Sequence, residues 1–250
     1  ATYLVQDPGT EWSGILRVHR ENYHDRQAIE SELDWLEALA RDTDVTTSHP
    51  VCTKAGERVV TVEHGGVERY AVMFELMLGI HPDATVIRSK SFETLGAITA
   101  HLHQQAKRWE PPASFKRFAW DWQHTLGESP RWGRWQDGAV QKEDIEGFSV
   151  AVEEMRQRLE AYGTGPERFG LIHADLRLAN LLVEGDHVSL IDFDDCGFGW
   201  FMYDFGAAVS FMEDHERLLE FQWAWVSGYR SVAELPEEDL AMLPTFVLLR

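Results

Sequence analysis

Polar side chains around one short hairpin have the types and the spacing that phosphoryl transfer needs. His173, Asp175 and Asn180 form a His-x-Asp-x4-Asn pattern, and Asp192 follows at the end of the next apolar run. In that chemistry an Asp orients the acceptor hydroxyl and takes its proton, while oxygen ligands hold Mg²⁺ against the phosphates. Asp175 suits the first role, and Asn180 and Asp192 suit the second. A loop that is merely polar is the alternative explanation.

The elements that must position these side chains are short apolar runs, which predict strands at 171–172, 181–183 and 188–193. A turn at Gly185-Asp186 would pair the last two strands so that Asn180 lies opposite Ile191. Asn180 and Asp192 then meet within one residue step. Strict alternation would point their side chains to opposite faces, so we expect a bulge or a strand end to re-aim one of them.

The rest of the chain divides into a strand-rich part and a helical part. Before residue 79, apolar patterns predict a mostly antiparallel sheet with strands at 3–6, 14–20, 51–53, 58–63 and 68–76, and one amphipathic helix at 25–40. The pattern breaks at 79–85. After it, the spacing predicts helices at 92–109, 115–126, 142–162, 203–229 with a possible break, and 237–250. His101 and His103 are two residues apart on a predicted helix, which makes them a poor metal pair.

Composition limits the possible partners. The chain has 250 residues, of which 44% are hydrophobic, and a formal net charge of −19, which argues against a nucleic-acid partner. No apolar run is long enough to span a membrane, so no membrane partner is expected. The only cysteines, Cys52 and Cys196, are far apart and indicate a reducing compartment, so a cytoplasmic location is expected.

The segments HADLRLANLL and LIDFDD resemble the catalytic and metal-binding segments of the aminoglycoside phosphotransferase and choline kinase family. The resemblance implies an α+β, two-lobed, protein-kinase-like fold. Residues 1–78 would form a small antiparallel-sheet lobe with one helix that binds the nucleotide, and residues 79–250 a larger, mainly helical, catalytic and acceptor-binding lobe. It also implies Asp175 as the catalytic base, with Asn180 and Asp192 as the metal ligands.

The same resemblance implies roles for two further residues. Arg177, two residues after the proposed base, stands where protein kinases place a Lys near the transferred phosphate, and it could neutralise charge there. Asp204 resembles the buried Asp that braces the family's catalytic loop. A helix N-cap is the alternative for Asp204.

In the first lobe, Arg17 occupies the place of the Lys that holds the nucleotide phosphates, with a solvent-facing strand charge as the alternative. Its expected partner is Glu32, with Glu30 as the other candidate. Glu75 and Met77 would meet the nucleotide base through their backbone groups. By this alignment the phosphate-covering loop would precede Tyr3, so we expect that loop and part of the helical lobe to lie outside this sequence.

The function that these expectations imply is transfer of the γ-phosphoryl group of ATP, or of GTP, with Mg²⁺, to a hydroxyl of a small molecule. An amino alcohol, a homoserine-like metabolite and an aminoglycoside are the candidate acceptors. A Ser/Thr protein kinase of the stress-response type is an alternative, and a nucleotide-binding pseudokinase or regulatory module is another. Acceptor contacts are open, with Asp194, Asp195 and residues 200–213 as candidates.

Overall fold

The structure is a computed structural model that describes residues 1–82, 88–138, 141, 144–185 and 187–250. In the described residues the strands are β1 (Thr2–Gln6), β2 (Ser13–Val18), β3 (Thr46–Thr47), β4 (Pro50–Val51), β5 (Val60–His64), β6 (Val67–Glu75), β7 (Ala119–Trp120), β8 (Phe169–Ile172), β9 (Leu181–Glu184), β10 (His187–Leu190) and β11 (Gly197–Trp200). The helices there are α1 (Arg26–Asp42), α2 (Ser89–Arg108), α3 (Trp122–Thr125), α4 (Ile145–Tyr162), α5 (Tyr203–Ala208), α6 (Leu218–Arg230) and α7 (Glu237–Leu249).

The chain forms two compact units, each discontinuous in sequence. The first comprises Ala1–Ile87, Arg108–Arg117 and Leu178–Asp194; the second comprises Arg88–Lys107, Phe118–Arg177 and Asp195–Arg250. The predicted lobe boundary after residue 78 stays a prediction.

The first unit is built on an antiparallel sheet in the order β1-β2-β6-β4, with β5 pairing another stretch of β6. Helix α1 begins at the N-cap Asp25, whose side chain accepts a hydrogen bond from Ala28 N, and its predicted apolar positions Ile29, Leu33 and Leu36 are buried. A smaller sheet, β3-β10-β9, carries the hairpin of the proposed site. The mostly antiparallel sheet with one helix is therefore confirmed.

The second unit contains the remaining helices and a small sheet in the order β7-β11-β8. Two helices approach closely at glycines: a Cβ on Gly96 of α2 would lie 2.0 Å from the carbonyl oxygen of Trp225, and one on Gly228 of α6 would lie 1.8 Å from that of Glu93. Only glycine allows this backbone contact between α2 and α6.

Two sequence predictions are wrong in this part of the chain. The helix predicted at 115–126 is a two-residue strand followed by the single turn α3, because Ala119 and Trp120 pair with β11 and the Asp121 side chain accepts from His124 N to begin α3. The strand predicted at 188–193 ends at Leu190, because Asp192 takes a left-handed φ of 63°.

Other predictions hold with small shifts at the ends. The possible break in the helix at 203–229 is confirmed, since α5 and α6 are separate helices. Strands β3 and β11 were not predicted. Asp186 of the predicted turn, Lys142 at the predicted helix start and residues 83–85 lie outside the described residues.

Within the described ranges, no helix has both the length and the apolar character needed to cross a membrane.

Candidate active site

The hairpin β9–β10 has the register that its sequence predicts. Glu184 pairs with His187 and Leu181 with Leu190, and Ile191 N donates to the carbonyl oxygen of Asn180 at 3.0 Å. Asp192 is the next residue, and its positive φ of 63° ends the alternation of the strand. The re-aiming that the sequence required is therefore made by the backbone of Asp192 at the strand end.

Arg17 lies on β2 and forms an ion pair with the fully buried Glu32 of α1. Its Nη2 donates to both carboxylate oxygens of Glu32 at 2.7 Å, and its Nη1 lies 3.7 Å from Asp192 Oδ1. Burial lowers the pKa of Arg17, but the carboxylates of Glu32, Asp194 and Asp192 outweigh it and raise that pKa overall. The guanidinium is therefore charged and faces both α1 and the hairpin.

Glu30, the other candidate partner, lies elsewhere on α1. Its carboxylate accepts from Arg58 Nη2 at 2.8 Å, and Arg58 also contacts Asp34 at 2.8 Å. The structure therefore pairs Arg17 with Glu32.

A cavity of about 300 Å³ opens beside this ion pair within the first unit. Its apolar walls come from β2, β6 and the hairpin, while Arg17 and Asp192 supply polar groups. The residues that line it are Thr2, Ile15, Arg17, Ser48, Phe74, Glu75, Leu76, Met77, His81, Leu182, Ile191 and Asp192. An apolar slot with a few polar groups, here a cation and a carboxylate, has the composition of a small-molecule site.

The end of β6 and the two residues after it, Glu75 to Met77, form one rim of this cavity. Glu75 N donates to the carbonyl oxygen of His49 at 2.9 Å, so that N–H is committed to the protein. Gly79 has a φ of +136°, and a Cβ there would lie 3.1 Å from both Leu182 Cβ and Val183 N. A glycine is therefore required where this segment runs alongside β9.

Asn180 and Asp192 have the chemistry of ligands for a hard divalent cation, since each offers side-chain oxygen. Asn180 is buried, and half of the Asp192 side chain is exposed on the cavity wall. Within the part of the chain that the structure describes, no cluster of three or more His, Cys, Asp or Glu could hold a metal. Mg²⁺ is commonly held by one or two protein oxygens together with waters and substrate phosphates, so this pair fits a cation that binds with a nucleotide.

Asp175 lies in the second unit and is buried between two arginines. Arg250 Nη2 donates to Asp175 Oδ1 at 2.7 Å, and Arg177 Nε donates to Asp175 Oδ2 at 3.1 Å. Burial lowers the pKa of Arg250, but the surrounding Tyr203, Asp175 and Asp195 outweigh it and raise that pKa overall. The structure thus brings Asp175 and Arg177 together and adds Arg250, which no sequence pattern indicated.

Asp204 braces the loop that carries Asp175. Its Oδ1 accepts from Ala174 N at 2.6 Å, and its Oδ2 accepts from His173 N at 3.2 Å and from His103 Nε2 at 3.1 Å. The N-cap of α5 is Met202, which has no side-chain capping bond, so the N-cap alternative for Asp204 is wrong.

His103 continues this network into the core. Its Nδ1 lies 3.1 Å from the Tyr229 hydroxyl, and burial lowers the pKa of His103 despite the opposing effect of Asp204. A carboxylate can only accept, so the neutral ring donates from Nε2 to Asp204 and accepts from Tyr229 at Nδ1. The sequence feature that could have indicated this role of His103 is a histidine among the apolar positions of α2.

Asp194 and Asp195, both open as acceptor contacts, have different surroundings. Asp194 belongs to the first unit, where its Oδ1 lies 3.3 Å from His19 Nδ1; burial raises its pKa, but His19, Arg17 and His24 outweigh that and hold the pKa well below its usual range. The carbonyl oxygen of Asp195 accepts from Trp120 Nε1 at 2.8 Å in the second unit.

A family model described as "Phosphotransferase enzyme family" matches residues 1–235 of the 250. The chain belongs to this family. Its α+β fold is the protein-kinase-like one that the resemblance implied, as similar solved structures of family members show.

Three similar proteins are kinases by name. A solved structure of a microcompartment-associated aminopropanol kinase is 54% identical, with a TM-score of 0.93, covering 100% of this chain and 78% of that one. A solved amicoumacin kinase in complex with AMP-PNP, Ca²⁺ and Ami is 24% identical, with a TM-score of 0.83, covering 100% and 75%. The amicoumacin kinase of Bacillus subtilis (strain 168) is 24% identical over 247 residues, which are 94% of this chain and 70% of that protein.

The catalytic, metal-binding and nucleotide-binding roles of the predicted site residues stay predictions for this family member.

Proposed function

We propose that this phosphotransferase moves the γ-phosphoryl group of ATP to the hydroxyl of a short amino alcohol such as aminopropanol. The observation that carries the reaction is the cavity of the first unit, where apolar walls meet the Arg17–Glu32 ion pair and Asp192. The choice of acceptor is supported by the 54% identity to an aminopropanol kinase.

The nucleotide would bind in that cavity. Its base would lie against apolar side chains such as Phe74 and Leu182, and Glu75 and Met77 would contribute backbone groups. Because the Glu75 N–H is already committed to His49, the backbone of Glu75 can contact the base only through its carbonyl oxygen. GTP presents an acceptor at the position of the ATP amino group and would meet a carbonyl there, which favours ATP.

The phosphates would lie at the polar end of the cavity. Arg17, held in place by Glu32, would donate to phosphate oxygens. Asn180 and Asp192 would hold Mg²⁺, which in such sites offsets the charge of the phosphates. The amicoumacin kinase complex contains AMP-PNP and Ca²⁺, which supports a nucleotide and a divalent cation in this fold.

Asp175 would act on the acceptor. Its carboxylate would accept a hydrogen bond from the acceptor hydroxyl and take that proton as the new O–P bond forms, while the bond from the γ-phosphorus to the β–γ bridging oxygen breaks and ADP leaves. Arg177 and Arg250 fix the carboxylate from two sides, and Arg177 could also offset charge on the transferred group. The Asp204 contacts keep the loop in the conformation that this role needs.

The two alternatives have less support. The similar kinases above are named for small molecules, and none of the three is named for a Ser/Thr protein substrate. A pseudokinase or regulatory module would not need Asp175, Asn180 and Asp192 together, yet all three are present.

The test is a screen of the full-length protein with Mg²⁺ and either ATP or GTP, followed by phosphorus NMR. The acceptors would be aminopropanol, ethanolamine, homoserine, an aminoglycoside and a Ser/Thr peptide. We expect one new phosphate ester, formed from ATP and an amino alcohol. A peptide product would instead support the protein kinase, and nucleotide binding without turnover on any acceptor would support the regulatory module.

A further inference from the structure

The turn Phe193–Asp195 makes buried contacts that phosphoryl transfer as described above does not use. The carbonyl oxygen of Asp194 lies 2.8 Å from His24 Nε2 and also accepts from Arg117 Nη2. Arg117 Nη1 donates to the carbonyl oxygen of Ala28, in the first turn of α1, at 2.9 Å. His24 is 7% and Arg117 is 8% exposed, so both side chains are buried. Together they tie the Asp194 carbonyl to the start of α1.

The protonation state of His24 follows from its surroundings. Burial, followed by the charge of Arg117, lowers the pKa of His24 to about 4, although Asp194 opposes this. The ring is therefore neutral near neutral pH. Since a carbonyl oxygen can only accept, the neutral ring must carry its hydrogen on Nε2 and donate it to Asp194.

This anchored turn begins one residue after Asp192. A φ of 63° at Asp192 is uncommon for a residue with a side chain and persists when the surrounding structure holds it. On one side of Asp192 the chain is held by the hydrogen bond from Ile191 N to the carbonyl oxygen of Asn180, the residue before β9. On the other side the Phe193 ring packs edge-on against the fully buried Trp35 ring, with 5.4 Å between the ring centroids. The next residue after Phe193 is Asp194, whose carbonyl oxygen contacts His24 and Arg117.

We propose that His24 and Arg117 are positioning residues that hold Asp192 in its left-handed conformation and so aim its carboxylate at a divalent cation. They act through the carbonyl of Asp194 and touch neither the nucleotide nor the cation. This inference rests on the proposed function, because it takes Asp192 as a metal ligand.

The variants that test it separate hydrogen bonding from bulk. His24→Leu removes the donor, whereas His24→Gln places an amide N–H close to where the imidazole Nε2–H lies. Arg117→Gln is a second, independent variant in case His24→Leu does not fold. Arg58→Gln is the control, because Arg58 is another arginine of the first unit that contacts α1, with its side chain 21% exposed and paired with the carboxylates of Glu30 and Asp34.

The measurement is the Mg²⁺ dependence of ADP binding by calorimetry on the full-length protein, which does not depend on turnover. We expect His24→Leu and Arg117→Gln to raise the Mg²⁺ concentration for half-maximal binding by about 10-fold, the lower end of effects seen for groups that orient metal ligands. His24→Gln should restore a near-normal Mg²⁺ titration, and Arg58→Gln should change thermal stability without moving it.

Asp192→Ala is the reference variant that distinguishes a failure of the positioning role from a failure of the metal assignment. If Asp192→Ala weakens the Mg²⁺ dependence but His24→Leu and Arg117→Gln lower only the thermal stability, the positioning role is wrong and the metal site stands. If Asp192→Ala itself leaves the Mg²⁺ titration unchanged, the metal assignment within the proposed function fails, and the positioning role fails with it.

Discussion

Asp204 Oδ1 accepts a hydrogen bond from the backbone N–H of Ala174 at 2.6 Å, one residue before Asp175. Ala174 has a φ of 66°, so this bond holds a backbone conformation that alanine seldom adopts. The other oxygen of Asp204 is shared between His173 N and the neutral His103 ring. One fully buried carboxylate thus fixes the direction in which the chain enters the proposed catalytic position.

Asp204→Asn should therefore damage both the fold and the reaction. The amide would present N–H groups to donors that now meet a carboxylate, leaving at least one buried donor unpaired and lowering the free energy of unfolding by about 2 kcal/mol. Misplacement of Asp175 should lower kcat by about 100-fold. Urea unfolding and turnover measure the two effects. Glu154→Gln, an exposed position on α4, is the control and should change neither.

The Arg17–Glu32 pair predicts an asymmetry between a single and a double variant. Arg17→Met leaves the Glu32 carboxylate buried and unpaired, which should lower the free energy of unfolding by about 3 kcal/mol or more. Arg17→Met/Glu32→Leu removes both charges, so at least half of that loss should return. Neither protein should bind ATP normally, since both lack the guanidinium. A double variant as unstable as Arg17→Met would mean that the loss of unfolding free energy does not come from the unpaired Glu32 carboxylate.

The close approach of Gly79 to β9, two residues after the cavity-lining Met77, predicts a steric effect. Gly79→Ala must accept both a positive φ and a Cβ 3.1 Å from β9, and it should lower the free energy of unfolding by about 2 kcal/mol. Gly56 also has a positive φ, of +84°, but has open space around it, so Gly56→Ala should lose only about 1 kcal/mol. Thermal unfolding and ATP affinity are the measurements. Equal losses at both sites, with ATP affinity unchanged, would show that the close approach has no consequence.

The lowered pKa of His24 predicts a loss of stability in acid. The unfolded chain takes up a proton on His24 near its ordinary pKa of 6.5, whereas the folded chain resists until about pH 4, because of burial and the charge of Arg117. The contribution of the neutral ring is therefore complete above about pH 6.5 and is lost as the pH falls to about 4, by up to about 3 kcal/mol.

His24→Gln cannot titrate and isolates this contribution. His19, Asp194 and Arg117 surround the ring and remain in both proteins, so their own effects cancel in the difference. Unfolding in urea at several pH values should show the wild type losing stability relative to His24→Gln between about pH 6.5 and pH 4. A constant difference across that range would mean that folding does not shift the pKa of His24.

Local patterns predicted much of this molecule. Turn chemistry set the hairpin register, so Asn180, Ile191 and Asp192 fall where the count along the strands placed them. Helical spacing predicted the buried apolar positions of α1, whereas the choice of Glu32 over Glu30 came from the family resemblance. The helix predicted at 115–126 is wrong because Ala119 and Trp120 pair with β11, a partner about 80 residues away that helical spacing cannot reveal.

Several contacts that hold the proposed site residues in place could not be predicted from the neighbouring sequence. Arg250 reaches Asp175 across 75 residues, and Arg117 reaches Asp194 across 77. Nothing in the sequence next to either arginine indicates its partner. Only the folded chain brings Arg250 to a carboxylate and Arg117 to a carbonyl. The residues that do the proposed chemistry follow a motif, whereas the residues that aim them depend on tertiary structure.

The most direct measurement of the central claim is single-turnover phosphorylation of aminopropanol by the full-length Asp175→Asn protein, compared with wild type, with Mg²⁺-ATP binding measured on the same samples. Asp175→Asn should bind Mg²⁺-ATP nearly as tightly as wild type and form almost no phosphorylated amino alcohol. Undiminished product formation by Asp175→Asn would contradict the assignment of Asp175 as the base.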